Sequence, residues 1–290
     1  MTILLTGGSG KTAEHIANLL REAKLPFIIG SRSSNPHTVQ RHRTFDWLDE
    51  ATFNNVQSVD EEMEPVSVVW LVSPPILDLA PPVILFIDFA SSRGVKRFVL
   101  LSASTVEKGG PAMGLIHAHL DTIEGVSYTV LRPSWFMGTE ALYSRPCKRV
   151  VTEGESDTKY AENFSTRGKK TPSYSAAKGG KIPFISAADI ARVVALRALA
   201  APALYNKDHL LLGPELLTYD DSLNLRQSCK RGGMPADEAA MHASLDSMVE
   251  AGAEERLNTE VKDLTGEEPR HFADFVSDKQ ECLAYERLEC

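Results

Sequence analysis

The sequence predicts an α/β protein built on a doubly wound parallel sheet, with a smaller, partly irregular region toward its carboxyl end. Three observations carry that prediction. Short apolar runs recur without the alternation of a half-buried strand, as strands covered on both faces do. Helical patterns with one apolar side separate them. The first apolar run opens directly into a glycine-rich turn and then a helix.

The elements follow in order. Thr2–Thr6 is an apolar strand leading into Gly7-Gly8-Ser9-Gly10-Lys11-Thr12-Ala13. Ala13, Ile16, Ala17 and Leu20 then fall on one helical face. Phe27–Gly30 is a second strand, and a third precedes Asp46-Trp47. Val66–Val72 is a fourth, closed by Pro74-Pro75. Val83, Phe86, Ile87 and Ala90 mark another helix. Arg97–Leu101 ends at Ser102, and Tyr128–Leu131 ends at Arg132-Pro133. Residues 1–137 therefore read as a nucleotide-binding core of the Rossmann type. Residues 138–180 are polar, lack a sustained period and read as an irregular insert. Lys181–Ile185 reads as a strand. Ser186-Ala187-Ala188-Asp189 opens a helix carrying Ile190, Val193, Val194 and Arg197. His209–Leu212 reads as a last strand, so 181–213 return to the core. Residues 214–290 form a substrate-side region, with a helix over Ala236–Ala251 that presents Met241, Leu245 and Met248.

Composition narrows the function. Apolar residues make up 43% of the 290 and charged residues 24%, which is enough to build a core. The 31 basic residues against 39 acidic ones leave a net charge of −8. With no basic run, phosphate-backbone binding and a polybasic membrane anchor are both disfavoured. No apolar stretch approaches the roughly 20 residues of a membrane span. Ile3-Leu4-Leu5 is too short for a secretory signal. Cys147, Cys229, Cys282 and Cys290 have no metal-ligand spacing and read as reduced thiols of a cytoplasmic protein. Neither a metal, nor nucleic acid, nor a membrane is expected as partner.

Gly7-x-x-Gly10-x-x-Ala13 is the most informative motif. Glycines let the backbone turn tightly and approach a pyrophosphate, which the amino end of the next helix binds. A nucleoside-triphosphate loop would need a glycine where Leu5 stands, inside the strand. After the second strand an acid would select a ribose 2′-hydroxyl. Ser31-Arg32-Ser33 stands there instead, and an arginine fork suits a 2′-phosphate, which points to NADPH/NADP+. Asp46 and Trp47 fit the adenine side, although Trp47 is equally suited to the core. Ser73, Pro74 and Ser102 sit where strands end. The expected cofactor surface is thus Gly7, Gly8, Ser9, Gly10, Lys11, Thr12, Ser31, Arg32, Asp46, Trp47, Ser73, Pro74 and Ser102.

These residues, with Phe45-Asp46-Trp47-Leu48-Asp49, Leu101-Ser102-Ala103-Ser104 and Leu131-Arg132-Pro133-Ser134-Trp135-Phe136-Met137, resemble the NmrA-like group of atypical short-chain dehydrogenases. Gly109-Gly110-Pro111-Ala112-Met113-Gly114 and Lys181-Ile182-Pro183-Phe184-Ile185-Ser186 resemble its fungal ergot-alkaloid branch, the festuclavine and agroclavine dehydrogenases. The resemblance implies an oxidoreductase that uses NADPH to close the fourth ergoline ring. Its alkaloid substrate would be the cyclic iminium formed from chanoclavine-I aldehyde. An old-yellow-enzyme-type reductase or glutathione would be the functional partner.

Ordinary short-chain dehydrogenases use Tyr-x-x-x-Lys as proton donor and its pKa-lowering partner. The one match, Tyr174-Ser175-Ala176-Ala177-Lys178, follows both strands between which that pair belongs. The helix that should carry it, Met113–Thr122, holds His117, His119 and Asp121 instead. The two histidines lie about 200° apart on a helix and do not converge on one metal. Reducing an iminium adds hydride to an existing cation, so no proton donor is required at the carbon. His117, Trp135, Phe136 and Met137 are the candidate pocket, the aromatics suited to a flat cation. A short-chain carbonyl reductase using Tyr174 and Lys178, and a non-catalytic NADP-binding regulator, are the competing readings.

Two segments depart from the family pattern. The 24 residues Gly138–Ala161 separate Trp135-Phe136-Met137 from Glu162-Asn163-Phe164-Ser165, which the family joins directly. Asp221–Arg231 is short, polar and aperiodic where the family continues with a helix, a strand and a helix. Both changes are abrupt and flanked by matches, as misplaced exon boundaries would leave them.

Overall fold

A computed structural model of the chain describes residues 1–8, 10–32, 42–57, 64–138, 177–194, 206–225 and 245–278. Seven parallel strands form one sheet: β1 Thr2–Leu5, β2 Phe27–Ser31, β3 His42–Thr44, β4 Val66–Leu71, β5 Arg97–Leu101, β6 Ser127–Pro133 and β7 Lys207–Leu211. Their order is β3-β2-β1-β4-β5-β6-β7. The chain winds outward from β1 in one direction and from β4 in the other. Between those two strands lies the switch point where open α/β sheets bind their ligands. Register aligns Leu5 with Trp70, Trp70 with Val99 and Val99 with Thr129, so the carboxyl ends all lie on one side of the sheet and step outward from Leu5 of β1 to Pro133 of β6.

Both faces are covered, which is why the strands lack polar alternation. On one face Leu4, Val69, Phe98 and Val130 meet α2 (Phe53–Gln57), α3 (Ala80–Ser92) and α4 (Met113–Leu120) through Phe53, Val83, Phe86, Ile116 and Leu120. On the other, Ile3, Leu5, Val68, Trp70 and Val99 meet Ile16 and Leu20 of α1 (Lys11–Glu22). Ile190 and Val193 of the helix Ala187–Val193 join this second layer, as does Val261 of the helix Glu260–Thr265. The faces predicted for α1, α3 and the helix Ala187–Val193 are buried, but the one predicted as Met241, Leu245 and Met248 is not: Met248 is 40% exposed and the neighbouring Val249 is buried instead.

The chain forms two compact units. One comprises Met1–Phe136, Phe184–Pro214 and Leu257–His271; the other comprises Met137–Pro183, Glu215–Arg256 and Phe272–Cys290. Residues 257–271 had been expected in the substrate-side region, but they return to the sheet unit. The cause is a pair of polar clips that periodicity does not reveal. Asn258 Nδ2 donates to the Leu210 carbonyl at 2.8 Å, and His209 Nδ1 lies 2.5 Å from Glu260 Oε1. Buried Asp189 accepts from the Ser186 hydroxyl (2.8 Å) and the Arg270 amide (3.0 Å) and pairs with Arg192.

Three further expectations are corrected. Lys181–Ile185 is not a strand: Ile182 bridges Leu217 and Ile185 bridges Phe136, singly, because Pro183 between them cannot donate to a ladder. The last strand begins at Lys207, two residues before the apolar run, because β6 pairing extends to Thr129–Lys207. Asp221 does not open an aperiodic stretch. Thr218 and Asp221 cap each other reciprocally and start the helix Tyr219–Leu225. In the region predicted as helix Ala236–Ala251, residues 245–250 are helical, and 236–244 lie outside the described residues.

Candidate functional site

The strand β1 delivers the chain to the switch point, and Thr6 fixes how it leaves. The Thr6 hydroxyl donates to the Trp70 carbonyl at 2.8 Å and accepts the Val72 amide at 2.9 Å, joining the ends of β1 and β4. Gly7 then adopts φ +65°, and a Cβ there would stand 2.9 Å from Val72 Cβ. A Cβ on Gly8 would overlap the Ile29 methyl. The Gly10 amide donates back to the Gly7 carbonyl at 2.8 Å. Gly10 caps α1 without a side-chain hydrogen bond. No side chain at Gly10 occupies the amino end of that 12-residue helix, where an anion site would lie. Lys11 is half-buried and Thr12 buried at its start. Ser9 lies outside the described residues.

The flanking residues complete a surface at the same strand ends. Ser31 closes β2 half-buried, and Arg32 is exposed beside it. Asp46 is half-buried; one carboxylate oxygen accepts the Leu48 amide at 3.0 Å. Trp47 is committed to packing: its indole meets Phe45 and Phe86 edge-on at 4.8 and 5.5 Å, so its core reading prevails. The Ser73 hydroxyl, two residues beyond the end of β4, is buried without a protein partner. Ser102 is 7% exposed, and its amide donates to the Leu131 carbonyl at 2.8 Å. A close-approach glycine cradle, an uncapped helix start and an unpartnered hydroxyl all fit a dinucleotide. Gly7, Gly8, Gly10, Lys11, Thr12, Ser31, Arg32 and Ser73 are the residues that would hold it.

The pocket candidates do not behave alike. Trp135 and Phe136 follow the carboxyl end of β6, half-buried, with the Trp135 carbonyl held by the Ile185 amide at 2.9 Å. Met137 is buried in the second unit. His117 does not face the strand ends. It is 5% exposed, with its ring edge-on to Tyr128 at 5.3 Å, near the opposite, amino end of β6. Burial lowers its pKa, the Coulombic pull of Asp208 opposing. It is a packing residue, because α4 runs antiparallel to the strands and carries position 117 away from their carboxyl ends. His119 points elsewhere, to Asp88 at 2.7 Å.

No proton-relay pair is assembled from the described residues. Lys178 sits in a turn at φ +46°, paired with Glu250 at 2.5 Å, so it does not lie on a helix with Tyr174. Tyr174 itself is outside the described residues. Tyr128 donates to Asp121 at 2.5 Å, and its pKa is pushed up to about 12 by burial and then by that carboxylate. Its hydroxyl is thus held protonated and engaged. Sequence reasoning missed Thr6, whose signal was a threonine ending an otherwise aliphatic run. It also missed the grip of Arg132 on the Ser104 carbonyl at 2.9 Å, which no spacing encodes.

No family model matches the chain. An agroclavine dehydrogenase of Claviceps fusiformis is 73% identical over 307 aligned positions, covering 97% of this chain and 98% of the relative. One of Claviceps purpurea is 49% identical, covering 95% and 96%. A festuclavine dehydrogenase of Aspergillus fumigatus is 38% identical, covering 97% and 98%. An NADPH-dependent quinone oxidoreductase of Escherichia coli superposes with a TM-score of 0.68 at 20% identity, covering 95% and 98%. The Citrobacter triphenylmethane reductase complexed with NADP(H) does so at 0.65 and 15%, covering 96% and 99%. The last two show the shared fold.

Proposed function

Because this chain belongs to the agroclavine and festuclavine dehydrogenase family, we propose that it is an NADPH-dependent oxidoreductase that reduces the cyclic iminium derived from chanoclavine-I aldehyde to an ergoline. The observation that supports this chemistry is the pairing of a close-approach glycine turn at the amino end of α1 with the lack of an assembled proton-relay pair among the described residues. Bound NADPH would supply a hydride. The aldehyde and its own secondary amine lose water to give a C=N⁺ bond. When hydride reaches that carbon, the π electron pair returns to nitrogen and a neutral tertiary amine results. No negative charge develops, so no side chain has to deliver a proton there.

The protein's own part is placement. Gly7, Gly8 and Gly10 would let the backbone approach the pyrophosphate at the amino end of α1, Arg32 would hold the 2′-phosphate, and Ser73 would take a ribose or phosphate oxygen. Trp135 offers a π face to the cation and Phe136 an apolar one. The uncyclised aldehyde must first be isomerised, by a partner enzyme or by reversible addition and loss of a thiol, or reduced, so an old-yellow-enzyme-type reductase or glutathione is the functional partner. No helix among the described residues is long and apolar enough to cross a membrane, which fits a cytoplasmic site of action. The test is NADPH oxidation on addition of chanoclavine-I aldehyde with glutathione or the partner reductase, scored against ergoline formed. One equivalent of each is expected, and binding of NADPH without oxidation would refute the enzyme. Tyr174→Phe should keep turnover within a few-fold, whereas a general acid would lose about 10²–10⁴.

A further inference from the structure

Two motifs remain unexplained by cofactor binding: Leu131-Arg132-Pro133 and Gly109-Gly110-Pro111-Ala112-Met113-Gly114. They meet at Glu107. Arg132 is 8% exposed on β6. One guanidinium nitrogen donates to the Ser104 carbonyl at 2.9 Å and to Glu107 Oε1 at 2.5 Å. The other donates to Glu107 Oε2 at 3.1 Å and to Asp208 Oδ2 at 3.1 Å. Both Glu107 oxygens are thus held by one planar fork. The Glu107 carbonyl accepts the Gly110 amide at 3.0 Å, and a Cβ on Gly114 would overlap that carbonyl. The Gly109 amide closes the turn on the Gly114 carbonyl at 2.9 Å. Lys108, next in sequence, pairs with Asp121. Inside this knot Ala112 stands at φ +54°, ψ −116°, a conformation that favours glycine and that only surrounding contacts can impose on alanine.

The held loop begins at Ser102 and Ser104, whose amides bond to Leu131 and Pro133 at 2.8 and 2.9 Å. Register sets Val99 of β5 level with Leu5 of β1 across β4, so the loop leaves the sheet two strands from β1, roughly 10 Å away at ordinary strand spacing. We propose that Arg132 is a positioning residue that, through Glu107 and the Ser104 carbonyl, locks the loop 102–112 in one strained conformation against the nicotinamide end of the cofactor, and so governs the reduction step rather than cofactor affinity. The proposal rests on the reading of the chain as an NADPH-dependent reductase. It explains why a buried arginine sits on a strand otherwise filled with apolar and hydroxyl side chains.

The test compares Arg132→Leu, Arg132→Lys and Glu107→Gln in the full chain. Glu107 is largely exposed, so the third variant reads the lock even if Arg132→Leu fails to fold. Amide hydrogen exchange over 104–114 should accelerate about ten- to hundredfold in Arg132→Leu, as loss of a charged hydrogen-bond partner predicts. It should accelerate less in Glu107→Gln, and Arg132→Lys should recover part of the protection. The NADPH dissociation constant should stay within about threefold, while kcat falls by up to about 10² with displaced geometry. Unchanged exchange over 104–114 in folded variants overturns the lock, and NADPH affinity lost in step with kcat overturns its role. If the parent binds NADPH but reduces no iminium, the proposed function fails, and the exchange data alone decide for or against the lock.

Discussion

Arg32 and Gly8 separate two kinds of contribution at the scale of the single residue. Arg32 acts through charge at an exposed position, so its loss should leave the fold intact and strike cofactor choice. Arg32→Ala is expected to weaken NADPH by about 1.5–3 kcal/mol, roughly ten- to a hundredfold, and NADH hardly at all. Fluorescence titration of both cofactors checks this; equal affinity for the two in the unmutated protein would sink the assignment. Gly8 acts through space. Ile29, which a side chain there would strike, is 3% exposed and cannot swing away. Gly8→Ala should cost about 1–3 kcal/mol of stability by overpacking and should lower NADPH affinity as the loop shifts. A denaturation midpoint and a binding isotherm measure the two effects, and an unchanged midpoint would contradict the close approach of loop and β2. Such roles are proposed from the sequence because glycine and arginine are informative wherever a strand ends. Trp47 and His117 were not, since an aromatic ring or an imidazole suits a core and a pocket equally. Only the rings around Phe86 and the edge of Tyr128 decide between them.

At the scale of elements, helix faces and strand ends came through in the sequence because burial imposes a period. What did not come through is which element a segment joins. The helix Glu260–Thr265 has one fully buried aliphatic, Val261, too little to advertise its destination. Polar clips decide it. Asp189 is 1% exposed and holds Arg192 and the Arg270 amide at once, tying Leu257–His271 to the helix Ala187–Val193. Asp189→Ala strands the Arg270 amide and the Ser186 hydroxyl. It should cost about 3 kcal/mol, the lower end for breaking a buried ion pair, because Arg192 keeps some contact with water. Hydrogen exchange over 257–271 should rise well beyond that of β1. Uniform loss of protection along the chain would argue that the clip holds no particular segment.

The whole chain poses a different question. Its alignment with the Claviceps fusiformis relative runs over 307 positions, more than the 290 residues present, so that relative contains residues absent here. The alignment length does not place those residues, and the interruption Gly138–Ala161 lies mostly outside the described residues. The sheet unit carries every glycine of the cradle and contains neither departure. We therefore expect the chain as written to bind NADPH normally and to turn over more slowly than that relative. Sequencing the spliced message decides the origin: a transcript encoding both departures would refute misplaced exon boundaries.

The sequence by itself determined the alternation of strands and helices as far as β6, the glycine-rich turn after β1, the basic residue after the second strand and the family. Each of these is written in local chemistry: a period, a missing Cβ, a charge at a fixed distance from a strand. Tertiary structure decided the rest. It returned Leu257–His271 to the sheet unit, turned His117 away from the strand ends, and gathered Glu107, Ser104 and Asp208 onto Arg132 from positions 25, 28 and 76 residues away. Those outcomes depend on pairs of polar groups that meet only after the sheet has formed. Their energy comes from leaving water together, and no spacing along the chain records the partner.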